Sequence, residues 1–198
     1  IREYLVTLVR AGQFEQALST ARRLQRYGAN DPGFMNLWLN LESQFGGTQG
    51  RSFAVRQRER MLELNPSDLD NTFQLARMYI QARNWDASRL LIDRLRASGD
   101  QLDFVQLDAT WNAEQGNVNG RNGLVAANEV FSKYIDSLPS PVGPEPYIVN
   151  SEFMLERGRP DLALAAASEA VKRESPETMI GSKLLGDLNM RINNFSDA

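Results

Sequence analysis

The sequence predicts an all-α chain, on three observations. Apolar residues recur at three- and four-residue spacing, as in Leu90, Leu91, Ile92 and Leu95, or Val130, Phe131, Tyr134, Ile135 and Leu138. No alternating apolar–polar run is flanked by hairpin signals. Breakers fall at intervals that leave room for helices of about 12 to 16 residues: Gly28–Gly33, Gly46–Gly50, Asn65–Asp68, Ser98–Gln101, Gly116–Gly123, Pro139–Pro146 and Ser175–Pro176. Pro32, Pro66 and Pro176 each stand just before a new helix, where a missing amide costs little.

One junction recurs. "RAGQFEQAL" (10–18) places a short loop, an aromatic, two polar residues and a small residue at the start of a helix. "ARNWDAS" (82–88) repeats the form with Trp85, "ERGRPDLALA" (156–165) with Pro160 and "RINNFSDA" (191–198) with Phe195, while "EQGNV" (114–118) is a weaker copy. The intervals are 71, 33, 42 and 35 residues from Phe14 through Trp85, Val118 and Pro160 to Phe195. A period near 34 with occasional insertions indicates a repeated helical hairpin. Gly12 is expected to permit the first turn, Phe14 to pack it and Ala17 to let the second helix sit close.

These residues resemble the tetratricopeptide repeat, whose pattern is Trp-x2-Leu-Gly-x2-Tyr, then Ala-x3-Phe, then Pro. Residues 35–68 supply Trp38, Leu41, Phe45, Ala54 and Pro66, but place Glu42 where a small residue is usual and Arg58 where an aromatic is usual. Residues 69–102 supply Leu75, Ala76, Tyr79, Ser88 and Ile92. The third unit has Ala109, Ala127, Phe131 and Pro139 around a turn lengthened near Gly116–Gly123; the fourth has Ser151, Met154, Ala163, Ala167 and Ala170. Leu185, Gly186, Phe195 and Ala198 begin a fifth. The resemblance implies a right-handed α-solenoid of antiparallel helix hairpins over residues 1–198. The expected units are 1–34, 35–68, 69–102, 103–142 with the inserted turn, 143–178 and a partial 179–198. Both ends interrupt a repeat, so a fragment of a longer array is expected. Any signal peptide is expected to have been removed or to lie outside these residues.

Composition narrows the chemistry. Of 198 residues, 42% are apolar and 24% charged, as in an ordinary folded chain. The longest apolar run, Leu162–Ala167, is far short of the ~20 residues a membrane span needs. With no Cys and no His, thiol chemistry, disulfides, imidazole bases and zinc sites with nitrogen or sulfur ligands are excluded. No catalytic, metal or cofactor residue is expected. Residues 1–99 carry 14 Arg against 10 acidic residues, a charge of +4; residues 100–198 carry 8 basic against 15 acidic, or −7.

By resemblance, the first helix of each unit lines a groove that takes an extended peptide or a partner helix. The expected partner-binding residues are Asn36 and Asn40, with Leu39 and Ser43, in one unit. They continue with Asp70, Phe73, Gln74, Arg77 and Gln81 in the next. After these come Gln106, Thr110 and Glu114 with Asp103, then Ile148, Glu152 and Glu156 with Glu145, then Lys183 with Asp187 and Arg191. Of the family's carboxylate clamp only Lys183 matches, and Asp187 stands where Asn would be needed, so no clamp is expected. The acidic residues of the later units predict a basic or mixed partner segment.

Other motifs yield blander readings. The glycine clusters at 46–50 and 116–123 follow no strand and lack the Gly-Lys-Ser/Thr ending of a phosphate loop, so they are expected to be hairpin turns. The arginines at 22, 23, 26, 51, 56, 58 and 60 are interleaved with Glu59 and Glu63, and no nucleic-acid partner is expected. Trp38, Trp85 and Trp111 are expected in inter-helix packing. Asn194-Phe195-Ser196 matches a glycosylation acceptor, with Phe195 expected inside. The chain is therefore expected to be a non-enzymatic scaffold. The alternatives are an α/α carbohydrate-active enzyme with paired carboxylates and a module that self-associates through its open repeat ends.

Overall fold

The computed structural model describes residues 1–99, 101–118, 122–174 and 179–195. Among them it contains only helices: α1 (Arg2–Arg10), α2 (Phe14–Gly28), α3 (Pro32–Phe45), α4 (Gly47–Leu64), α5 (Leu69–Gln81), α6 (Trp85–Ser98), α7 (Leu102–Val118), α8 (Gly123–Ser137), α9 (Glu145–Glu156), α10 (Pro160–Val171) and α11 (Ile180–Phe195). The fold is all-α, of the helical-hairpin solenoid class. The chain divides into two compact units, 1–91 and 92–198, with the division falling inside α6.

Three of the five expected junctions share one backbone turn; at 114–118 and 191–195 α7 and α11 continue instead, so no helix opens at Val118 or Phe195. Gly12 adopts φ +72°, its amide donates to Val9 O (3.0 Å), and the Gln13 amide donates to Leu8 O (2.9 Å). This is a Schellman ending, which needs one residue in the left-handed region. Arg83 (φ 57°) repeats it through Ile80 O and Tyr79 O, and Gly158 (φ 71°) through Leu155 O and Met154 O. The next helix then opens at Phe14, Trp85 or Pro160, and the residue three further on is small and fully buried: Ala17, Ser88 and Ala163. A larger side chain there would push the paired helices apart.

Elsewhere helices are started by side-chain caps. Asp31 Oδ1 accepts from the amides of Gly33 (2.9 Å) and Phe34 (3.3 Å), with Pro32 at the first helical position; Asp68 Oδ1 accepts from Asn71 N (2.9 Å). Each cap satisfies amides that no helical carbonyl reaches. Pro66 lies in the turn before α5, and Pro176 falls outside the described residues.

Unit 1 buries Leu5, Leu8, Ala17, Leu18, Ala21, Phe34, Trp38 and Leu41 between α1, α2 and α3. Leu39, Ala54 and Met78 continue the packing to α4 and α5. Gly28 is required by close approach, since a Cβ there would lie 2.3 Å from Cδ1 of buried Phe34. Unit 2 centres on Val105, Ala109, Ala113, Ala127, Phe131, Phe153, Met154, Ala163, Ala167 and Leu188, with the Phe131 and Phe153 rings edge to face at 5.3 Å.

Three local readings change. The break at 46–50 shrinks to Gly46, and α4 begins at once with Gly47. There Gly47 (φ +63°) turns the chain tightly enough for the helix to restart at once. The break near 116–123 starts later, because α7 runs through Gly116 to Val118; residues 119–121 lie outside the described set. Phe14 does not enter the core. It is 37% exposed and stacks on Phe45 (4.5 Å, 8°), because the first residue of a helix sits at the end of the hairpin, not along its seam. Trp38 is buried as expected, while Trp85 and Trp111 are half-buried. The Asn194–Ser196 acceptor extends outside the described residues.

Candidate binding groove

In unit 1 the structure turns three of the expected groove residues inward: Leu39 enters the core, and Asn36 and Asn40 meet a buried guanidinium. Arg58 of α4 is fully buried, and no carboxylate hydrogen-bonds to it. Its Nη1 donates to Asn71 Oδ1 (3.1 Å) and Asn36 Oδ1 (3.3 Å), and its Nη2 to Asn40 Oδ1 (3.0 Å). Asn71 returns a bond from Nδ2 to the Arg58 carbonyl (2.9 Å). Amide oxygens thus take the place of a counter-ion and tie α3, α4 and α5 together. Burial works against the Arg58 charge, while Asp70 and Asp68 support it from further away. Asn36 also donates to Asp70 Oδ2 (2.9 Å). Beside this cage, Phe73 and Gln74 are half-buried, Arg77 and Gln81 are exposed, and the Arg77 guanidinium lies 5.9 Å from the Phe73 ring centroid.

A second polar cluster occupies the other departure from the repeat pattern. Glu42, 3% exposed, receives Arg22 Nε at Oε1 (2.8 Å) and Nη2 at Oε2 (2.7 Å), and Trp38 Nε1 at Oε1 (3.0 Å). The Arg22 hydrogen bond holds the Glu42 carboxyl below its usual range, with burial opposing and Trp38 assisting. Gly50 leaves room for it, since a Cβ there would come within 2.7 Å of Glu42 Oε2. Small and large have exchanged sides of the seam.

In unit 2, α7 packs on α9. Gln106 and Glu114 of α7 are exposed, as are Glu152 and Glu156 of α9 and Lys183 and Asp187 of α11; Ile148 is half-buried. Thr110 is half-buried, and its hydroxyl donates to its own helix at Gln106 O (2.8 Å). Carboxylates of both helices act electrostatically on one cation. Arg157 lies over the Phe153 ring (3.6 Å to the centroid), donates to Phe153 O (3.4 Å) and stands 3.9 Å from Glu156 Oε2. Burial lowers its pKa, while the charges of Glu114 from α7 and Glu156 from α9 raise it. Glu114, Glu156 and Arg157 therefore belong to one surface, acidic by excess.

Residue identity alone did not reveal the Arg58 cage or the Glu42 pair. The available signal was a charge at a repeat position meant for an aromatic or a small residue, with Asn36, Asn40 and Asn71 nearby to receive it. Among the described residues no group of three acidic side chains is arranged to hold a metal ion, and no helix is long and apolar enough to cross a membrane.

Comparison with known proteins agrees with this architecture. The tetratricopeptide repeat family model matches residues 155–198. MamA 41-end from Desulfovibrio magneticus RS-1 is similar in structure, with 13% identity, a TM-score of 0.55, and coverage of 89% of this chain and 94% of its own. MamA from AMB-1 shows 15% identity and a TM-score of 0.52 over 86% of this chain and 95% of its own. A tetratricopeptide repeat protein from Parabacteroides merdae gives 15% identity and 0.51 over 96% of this chain and 82% of its own. No curated protein matches the sequence.

Proposed function

We propose that this chain, a tetratricopeptide-repeat protein, acts as a non-enzymatic scaffold whose groove in unit 2 holds a basic or mixed-charge peptide or helix. The observation that carries this is the acidic surface shared by α7 and α9. Glu114, Glu152 and Glu156 are exposed, and the charges of Glu114 and Glu156 both act on Arg157. Exposed carboxylates of this kind steer and orient a cationic partner more than they anchor it. Half-buried Ile148 adds an apolar contact on the same helix. In unit 1, Arg77 and Gln81 are exposed to a partner, while Asn36 and Asn40 are engaged by Arg58 and Asn36 also holds Asp70.

A glycan-cleaving reading finds less support. Its general acid must hold a proton near neutral pH, which requires a raised carboxyl pKa. Among the described residues the carboxylates that are displaced, Glu42, Asp161, Glu169 and Glu174, are all displaced downward by hydrogen-bonding donors.

The test is titration of the chain with a fluorescent peptide in which Lys and Arg alternate with Leu. The E152K/E156K variant is expected to bind it at least about tenfold more weakly. Unchanged affinity in that variant removes the groove assignment, and turnover of a glycan by the purified chain removes the non-enzymatic reading.

A further inference from the structure

Unit 1 carries a second surface of the opposite charge. The first half of α4 and the C-terminal ends of α3 and α5 enclose a cavity of about 630 Å³, within the roughly 300–1,000 Å³ typical of ligand sites. Its floor is apolar, made by Met78 of α5, 8% exposed, and half-buried Val55 of α4. Its rim holds Arg51 and Arg56, both exposed, with Ser52 beside them.

Several arginines of the chain are held by carboxylates. Arg22 is paired with Glu42, Arg159 with Asp161 and Arg173 with Glu169. Arg51 and Arg56 have no ion-pair partner among the described residues. The one carboxylate of the lining, Glu59, accepts the hydroxyl of Tyr79 at Oε1 and keeps its charge. Burial, and then that bond, keep the Tyr79 phenol protonated well above its usual range. The lining thus carries two cations against one carboxylate, a net charge of +1, above an apolar floor.

We propose that it receives an acidic peptide segment, with a carboxylate side chain at Arg51 and Arg56 and an adjacent aliphatic or aromatic side chain on Val55 and Met78. Both halves of the cavity are needed for this occupant. A nucleic acid is a poorer fit, because no aromatic side chain lines the cavity to stack a base. The site is separate from the acidic groove of unit 2 in its elements and in the sign of its charge.

The experiment is fluorescence anisotropy with a labelled dodecapeptide alternating Asp and Glu with Leu and Phe. Its Asn/Gln counterpart serves as the neutral control. The acidic peptide is expected to bind, to weaken as salt rises from about 0.05 to 0.3 M, and to bind at least about tenfold more tightly than the neutral one. R51Q/R56Q, at exposed positions, is expected to remove that tenfold difference. S52W is expected to block the cavity with both charges intact. Binding that survives R51Q/R56Q or S52W overturns the proposal, as does equal binding of the neutral peptide. Competition by a single-stranded oligonucleotide of equal charge at the same concentration overturns it too, since that marks attraction to any anion.

Discussion

Replacing Arg58 with Met is expected to destabilise the chain by about 1–3 kcal/mol. Met fills most of the space of the fully buried side chain, so a cavity contributes little. What is lost is the donor to three amide oxygens. Asn36 and Asn40 are half-buried, and water can replace the guanidinium at their oxygens. Asn71 is fully buried, so its Oδ1 is left without a donor, and that orphan accounts for the expected loss. An opposing effect works the other way. Arg58 is itself costly to bury, by several kcal/mol, and its Nε has no partner. The decisive arm is therefore R58M/N71L, which removes donor and orphan together. It should be at least as stable as R58M alone, with a coupling between the sites of about 1 kcal/mol or more. Urea unfolding followed by circular dichroism measures this. With a slope of about 2 kcal/mol per molar, the R58M midpoint should fall by roughly 0.5–1.5 M. An unmoved midpoint, or strict additivity of the two substitutions, would refute the view that the amide cage holds these helices together.

Two further outcomes follow from local geometry. The Glu42 carboxyl is held below its unfolded value, which lies near 4.5, so its contribution is complete above that pH and fades as pH falls through the folded value. E42Q should lower the melting temperature at neutral pH and flatten its decline in acid; a decline as steep as that of the unsubstituted chain counts against the pair. Arg83 occupies a left-handed turn position that Gly12 and Gly158 fill without strain. R83G should raise the urea midpoint by the equivalent of up to about 1 kcal/mol, the relieved strain less the greater freedom of glycine when unfolded. A lowered midpoint would mean that the Arg83 side chain contributes more than its backbone costs.

The helices and their hairpin rhythm were legible because both rest on spacing. Leu, Phe and Ala at three- and four-residue intervals mark buried faces, and the junctions at Phe14, Trp85 and Pro160 fall where helices open. The destinations of individual polar residues were less legible. Asn36 and Asn40 have the types and positions of groove residues. What draws them to a guanidinium is Arg58, 18 to 22 positions further along the chain. Glu42 stood out as misplaced, but its accommodation by Gly50 and Arg22 depends on how α2, α3 and α4 meet. The unit 2 carboxylates at 114, 152 and 156 lie on the surface as expected, since exposure at regular helical spacing needs no knowledge of a partner. The cavity beside Arg51 and Arg56 draws on three helices at once, which a linear reading does not bring together.

The left-handed turn also bears on how this chain can diverge. The position takes Gly at 12 and 158 and Arg at 83, and the difference between them is worth about 1 kcal/mol. That is small beside what the stacked hairpins contribute, so the letter is free to drift while the torsion angle persists. Inheritance here is carried by an angle more than by an alphabet. The family match over 155–198 includes the turn at Gly158, while the turn built on Arg83 lies outside it.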